Sequence, residues 1–148
     1  MSVFSQIITG SLPGRFVWAD DVCVAFATIE PAQPGHVLVV PREETDVYYD
    51  VPPHVFARMA NVAQIIGKAQ VKAFHTPRAV LSILGFDVPH THIHVIPAPD
   101  QESVRTVGAK AASDSELDSA MSALRQALID LGYGENVPPD MSSPRLSA

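Results

Sequence analysis

Cysteine is almost missing from this sequence: Cys23 is the only one in 148 residues. No internal disulfide is available. The apolar run Val22-Cys23-Val24-Ala25-Phe26 makes that thiol a small buried residue, and such usage fits a reducing, cytoplasmic setting. Basic charge is also short, with ten Lys and Arg against sixteen Asp and Glu and a net charge of −6. A broad basic face for a nucleic-acid polymer or an anionic membrane is not expected, so an anionic ligand must be held by local groups such as imidazoles and backbone N–H. No stretch approaches the roughly 18 uninterrupted apolar residues of a membrane span, and residues 1–8 carry no basic region ahead of an apolar core. A soluble, unexported chain is expected. What is present is ordinary globular usage, 47% hydrophobic and 18% charged, in a length that suits one domain with a real core.

Repeats and low-complexity tracts are absent, so Pro and Gly punctuate the chain. Residues 17–21 read as a strand end running into the acidic turn Asp20-Asp21, and 22–29 as a second strand, an antiparallel hairpin. After the loop 30–35, His36-Val37-Leu38-Val39-Val40 reads as a central strand closed by Pro41, which has no N–H for a ladder. Pro52-Pro53 opens a segment, about 54–74, with apolar residues at helical spacing. Strands follow at 78–84 and 88–97, separated by Gly85-Phe86-Asp87. Ser113-Asp114-Ser115-Glu116 is a capping box ahead of a second helix with Leu117, Met121, Leu124, Leu128 and Leu131 on one stripe and Gly132 at its end. Strands interrupted by helices, without regular β-α-β alternation, give an α+β domain on a mostly antiparallel sheet of about five strands with two main helices. The domain spans 1–133, and 134–148 is expected to be a mobile tail.

Four of the six histidines carry chemistry. His36 stands at the loop-to-strand junction Pro34-Gly35-His36. His90, His92 and His94 alternate in the run Pro89-His90-Thr91-His92-Ile93-His94-Val95-Ile96-Pro97. Residues two apart in a strand share a face at about 6.5 to 7 Å, so the three imidazoles point one way while Thr91, Ile93 and Val95 pack the other. Imidazole serves near neutral pH as nucleophile, acid or base, and cationic donor, which makes a phosphate site the natural reading. Three stacked imidazoles in an apolar strand otherwise risk repulsion for no structural gain. A metal centre is the other chemical reading, although no Cys, Asp or Glu is interleaved. The carboxylates Glu43, Glu44 and those of 46–50 read as a solvated face, Tyr48 and Tyr49 as surface or interface residues, and His54 and His75 as residues flanking a helix.

These motifs resemble the histidine triad (HIT) family. The run 90–96 is similar to its His-x-His-x-His-x-x signature. Val3-Phe4-Ser5-Gln6-Ile7-Ile8-Thr9-Gly10, Leu12-Pro13, the Asp20-Asp21 turn, Ala25-Phe26 and the Pro-Gly-His-x-Leu-Val-x-Pro core at 34–41 resemble Hint-type members, a likeness covering about residues 3–99. The resemblance implies a HIT-like fold and a hydrolase or transferase acting at the α-phosphorus of purine nucleoside phosphoramidates or dinucleoside polyphosphates. It implies that His92 attacks phosphorus and carries a nucleotidyl group, that His94 holds the phosphate oxygens and assists the leaving group, and that His90 and His36 orient the nucleophile. It places a nucleobase wall at Phe4, Ile7 and Leu12 with Phe26 close by, and it implies a homodimer with the first long helix and a central strand at the interface.

Three departures shape the expectation. Thr28 stands where relatives place a ribose-gripping acid or Asn. The short stretch Leu84-Gly85-Phe86-Asp87 replaces a longer loop with two amide side chains, although an acid at Asp87 occurs in some members. Ser2 and Ser5 stand where some relatives have zinc-binding cysteines, so neither metal nor other cofactor is expected. The first two departures motivate a second reading, a nucleotide-binding module with little turnover.

Overall fold

Five strands, β1 (Phe16–Ala19), β2 (Cys23–Ala27), β3 (Val37–Pro41), β4 (Arg78–Ser82) and β5 (Ile93–Ala98), form one antiparallel sheet in the order β1-β2-β3-β5-β4. Three helices accompany it: α1 (Val3–Thr9), α2 (Pro53–Phe74) and α3 (Asp114–Leu128). The computed structural model describes residues 1–147; Ala148, the end of the expected tail, lies outside them. The α+β class, the five strands and the two long helices match the sequence reading, and α1 is an addition to it.

Every residue of β2 and β3 is buried, because the sheet is covered on both faces. Ala25, Ala27, Val37, Val39, Ile93 and Val95 pack with Met59, Val62 and Ile66 of α2 and Met121, Leu124 and Leu128 of α3. Each such large side chain contributes about 2 kcal/mol by leaving water. The alternate residues Val24, Phe26, Leu38 and Val40 pack with Phe16 and with Phe4 of α1. Helix boundaries follow local chemistry. Pro53 occupies the first position of α2, where its missing N–H costs nothing. The capping box of Ser113 and Glu116 is fully made. After Leu128 the chain widens into a π turn, Ile129–Tyr133, with Gly132 at φ 99°. Among the described residues no helix is long and apolar enough to cross a membrane.

Two expectations need correction. The histidine-bearing strand starts at Ile93, not at residue 88. Ahead of it the His90 N–H turns back to the Val88 carbonyl at 2.8 Å, and the Thr91 N–H bonds the Thr45 carbonyl at 2.7 Å. Only His94 therefore sits in the ladder. The second correction concerns residues 134–141 of the expected tail, which lie against the body instead of trailing free. Val137 is buried. The Phe16 N–H donates to the Met141 carbonyl at 2.7 Å, Asn136 donates to the Ala19 carbonyl at 3.1 Å, and Arg125 bridges the Phe16 and Pro138 carbonyls. The reason is the outer edge of β1, whose backbone groups need partners that no strand supplies.

Candidate active site

The site grows from two loop-to-strand junctions that meet at β3 and β5. Gly35, at φ 93°, turns the chain into β3 and delivers His36. The Ala32 N–H donates to His36 Nδ1 at 3.0 Å, and His36 Nε2 lies 2.9 Å from His94 Nδ1. His92 Nδ1 is 2.8 Å from the His90 carbonyl. His90 Nε2 is 2.8 Å from the Pro41 carbonyl, and its Nδ1 is 2.6 Å from the Ser2 hydroxyl. The His92 and His94 rings stand 5.0 Å apart, and the edge of Phe4 meets His92 at 4.9 Å.

These partners fix every tautomer, since a carbonyl only accepts and a backbone N–H only donates. His36 accepts on Nδ1, so its proton is on Nε2 and is given to His94 Nδ1, leaving the His94 proton on Nε2. His90 and His92 each donate to a carbonyl. His92 therefore keeps an unshared lone pair on Nε2, and among the described residues that atom and His94 Nε2 are the two ring nitrogens of the four histidines left without a partner. Electrostatics agree with four neutral rings. Burial pushes His36 down to about 3, helped by His94 and His92, and pushes His94 down to about 4, helped by His92. Burial also lowers His90 and His92; for His92 the His90 carbonyl and the Asp87 charge pull the other way. A cluster of uncharged imidazoles offering one lone pair beside one N–H can attack an electrophile and hold its oxygen at neutral pH. Six committed nitrogens leave little for a metal, and among the described residues no group of three or more His, Cys, Asp or Glu is placed to hold one.

The sequence-derived site residues divide. His36, His90, His92, His94 and Phe4 converge. Phe26 is 1% exposed and meets Phe4 edge-on at 5.6 Å, so it backs that ring from the core. Ile7 packs half-buried on the same cluster, whereas Leu12 stands half-buried outside it. The Thr28 hydroxyl accepts the Glu30 N–H at 3.3 Å, and Asp87 is exposed in its turn. Sequence reading missed Gln70. Its amide nitrogen donates to the Gly35 carbonyl at 3.0 Å and the Val95 carbonyl at 2.8 Å, tying together the residues next to His36 and His94, while its Oε1 is buried without a partner. The available signal was a polar residue on the buried stripe of α2, four positions after Ile66.

The depressed imidazoles make stability sensitive to acid. Ordinary histidine in the unfolded chain titrates near 6.5, above the folded values of about 3 for His36 and about 4 for His94. Between those limits the unfolded state binds more protons. The stabilisation is therefore complete above about pH 6.5 and is lost as pH falls toward 4, at a cost on the order of several kcal/mol. Urea midpoints measured from pH 7.5 to 4.5 are expected to fall steadily, and His36→Gln to flatten the slope. A wild-type midpoint independent of pH would contradict neutral, buried rings.

The chain is similar to known proteins in sequence and in fold. The HIT domain family pattern matches residues 9–101. Adenylylsulfatase HINT3 of Arabidopsis thaliana is 30% identical over 148 aligned positions, covering 93% of this chain and 74% of that protein. Adenosine 5′-monophosphoramidase HNT1 of Saccharomyces cerevisiae is 26% identical over 107, covering 72% of this chain and 68% of that one. A crystal structure of a Zn-bound histidine triad family protein from Mycobacterium smegmatis superimposes with a TM-score of 0.78 at 27% identity, over 90% of this chain and 96% of that one.

Proposed function

The chain belongs to the HIT family, and from that premise we propose that it hydrolyses or transfers nucleotidyl groups, acting at the α-phosphorus of purine nucleoside phosphoramidates or dinucleoside polyphosphates. The observation that carries this reading is the uncommitted lone pair of His92 Nε2 beside the N–H of His94 Nε2. In the proposed reaction that lone pair forms a bond to phosphorus as the bond to the leaving group breaks, and water then cleaves the phosphorus–nitrogen bond to regenerate His92. His94 steadies the phosphate oxygens and the leaving group, and His36 fixes the His94 tautomer. His90 aims His92 through its carbonyl. Phe4 and Ile7 offer the apolar side for the base, backed by Phe26, with Leu12, Thr28 and Asp87 at the margins of the slot. Relatives named as an adenylylsulfatase and an adenosine 5′-monophosphoramidase put adenylyl esters and amides first among substrates to try.

A second reading, a nucleotide-binding module with little turnover, is favoured by one specific set of observations. The Thr28 hydroxyl is already engaged with Glu30, and the short loop before the triad supplies an exposed Asp87 in place of amide side chains. AMP release from adenosine 5′-phosphoramidate, run beside calorimetry with AMP, separates the two. Turnover in chelator supports the hydrolase. AMP binding without turnover moves the assignment to the module.

We also propose a cytoplasmic homodimer. β3 has neighbours on both sides, so the central strand expected at the interface is not free. The open edge is β4, where Leu81 is 50% exposed, next to Val71 of α2, 36% exposed. Strand-edge pairing there would cover both.

A further inference from the structure

The connector after β3 carries a carboxylate that reads from sequence as mere surface charge, and the structure gives it a task. Glu44 Oε1 accepts the Ser2 backbone N–H and, at 2.7 Å, the Ser5 hydroxyl. The Ser2 hydroxyl caps α1 by accepting the Ser5 N–H at 3.0 Å and reaches His90 Nδ1 at 2.6 Å. His90 Nε2–H closes on the Pro41 carbonyl, and the His90 carbonyl holds His92. The next connector residue, Thr45, accepts both the backbone N–H and the hydroxyl of Thr91 through its carbonyl, at 2.7 and 2.8 Å. One bonded path therefore runs from an exposed carboxylate to the proposed nucleophile.

We propose that Glu44 is a positioning residue: by anchoring Ser2 and Ser5 it directs the Ser2 O–H onto His90 Nδ1 and so holds residue 90, whose carbonyl aims His92. The proposal rests on the reading of His92 as nucleophile. A serine hydroxyl rotates freely and has a single proton to give. Here one Ser2 lone pair is filled by the Ser5 N–H and its backbone is tied to Glu44; of the two acceptors within reach of the proton, Ser5 Oγ is at 3.4 Å and His90 Nδ1 at 2.6 Å, so the shorter bond goes to His90. α1 has only seven residues, too few to hold a helical turn in place unaided, and the Glu44 carboxylate is what ties its first turn to the connector. The donors from Ser2 and Ser5 draw that carboxyl down to about 2, so it stays charged throughout the working range. Its charge also favours the protonated form of His90, against the larger effect of burial. Zinc does not fit this place: the neutral hydroxyls of Ser2 and Ser5 lack the thiolate charge that holds zinc in structural sites, and each is already spent in the chain of bonds. Hydrogen bonds thus supply the link between α1 and the triad.

The test compares Glu44→Ala, Glu44→Gln and Ser2→Ala with wild type, using steady-state kinetics on adenosine 5′-phosphoramidate and nitrogen-15 imidazole spectra of the ligand-free protein. Glu44→Ala is expected to lower kcat about tenfold with KM within about twofold, and to move the His90 Nδ1 resonance toward that of a ring nitrogen with no donor, while the Pro41 carbonyl keeps the proton on Nε2. Gln still accepts both bonds and is expected to recover most of kcat and the wild-type His90 Nδ1 resonance. If Glu44→Ala does not fold, Ser2→Ala keeps the Glu44 bonds to the residue 2 backbone N–H and the Ser5 hydroxyl, removes the link to His90 together with the α1 cap, and is expected to give the same two changes. A lower Tm with kcat and the His90 spectrum unchanged would overturn the proposal, leaving Glu44 a simple staple for α1. The spectrum decides even if the wild type turns over nothing. A moved His90 Nδ1 resonance in Glu44→Ala then upholds the positioning role while the proposed reaction fails, and an unchanged resonance overturns it.

Discussion

Replacing His92 by alanine is expected to lower turnover of adenosine 5′-phosphoramidate by about 10⁴-fold or more, equivalent to at least about 5.5 kcal/mol of transition-state stabilisation. The size follows from what is lost. His92 Nε2 is the lone pair at the site with no hydrogen-bond partner, and the neighbouring nitrogens cannot substitute for it. His94 Nδ1 is filled by His36, and both His90 nitrogens are bonded. The fold is expected to survive, because His92 contributes one hydrogen bond to its own segment and an edge contact with Phe4. AMP binding by calorimetry should change less than about tenfold, since the phosphate donor on His94 and the Phe4 surface remain. Turnover of His92→Ala within about tenfold of wild type would remove His92 from the nucleophile role.

Gly35→Ala is expected to damage stability and activity together. The residue sits at φ 93°, where an L side chain costs about 1 to 2 kcal/mol in the backbone alone. A Cβ there would also stand 2.3 Å from Cε2 of Phe74, so the last ring of α2 must leave its place against the core. Gly35 presents its carbonyl to Gln70 and precedes His36, which places the disturbance at the root of the His36–His94 pair. A loss of about 3 to 4 kcal/mol in urea unfolding is expected, with a fall in kcat. Gly85→Ala is the matched comparison: its φ is 77° but nothing lies within 4 Å of the added atom, so only the backbone cost of about 1 to 2 kcal/mol should appear. Shortening the ring in the Gly35→Ala, Phe74→Leu double variant should recover the packing part of the loss. Equal costs for the two glycines would show that Phe74 yields freely.

The histidines were legible because their chemistry is carried by residue type and spacing, which survive any error in element boundaries. The reading of one strand over 88–97 was wrong about geometry, yet the residues it grouped are brought together: the turn at 88–91 keeps His90 and His92 against Phe4. α2 and α3 were legible because prolines and a capping box mark their starts and an apolar stripe marks their buried face. α1 was not, because Val3, Ile7, Ile8 and Thr9 are β-branched and seven residues show too little periodicity; its helix depends on the Ser2 cap, Gly10 and the burial of Phe4. The roles of Glu44 and Gln70 were hidden for a common reason. Each works through backbone or hydroxyl partners 25 to 42 residues distant along the chain, and no local pattern encodes such partners. The docking of residues 134–141 along β1 was not legible because Pro138 and Pro139 suit a free segment as well as one that lies along a strand edge.

The central claim is a covalent nucleotidyl group on His92, and trapping it is the most direct measurement. Wild-type protein mixed with excess adenosine 5′-phosphoramidate, quenched within the first turnover in alkaline denaturant and read by intact and peptide mass spectrometry, should carry one adenylyl group located on His92. The adduct should form at least as fast as AMP is released and be absent from His92→Ala. Steady AMP release with no adduct, or an adduct on another residue, would contradict the account.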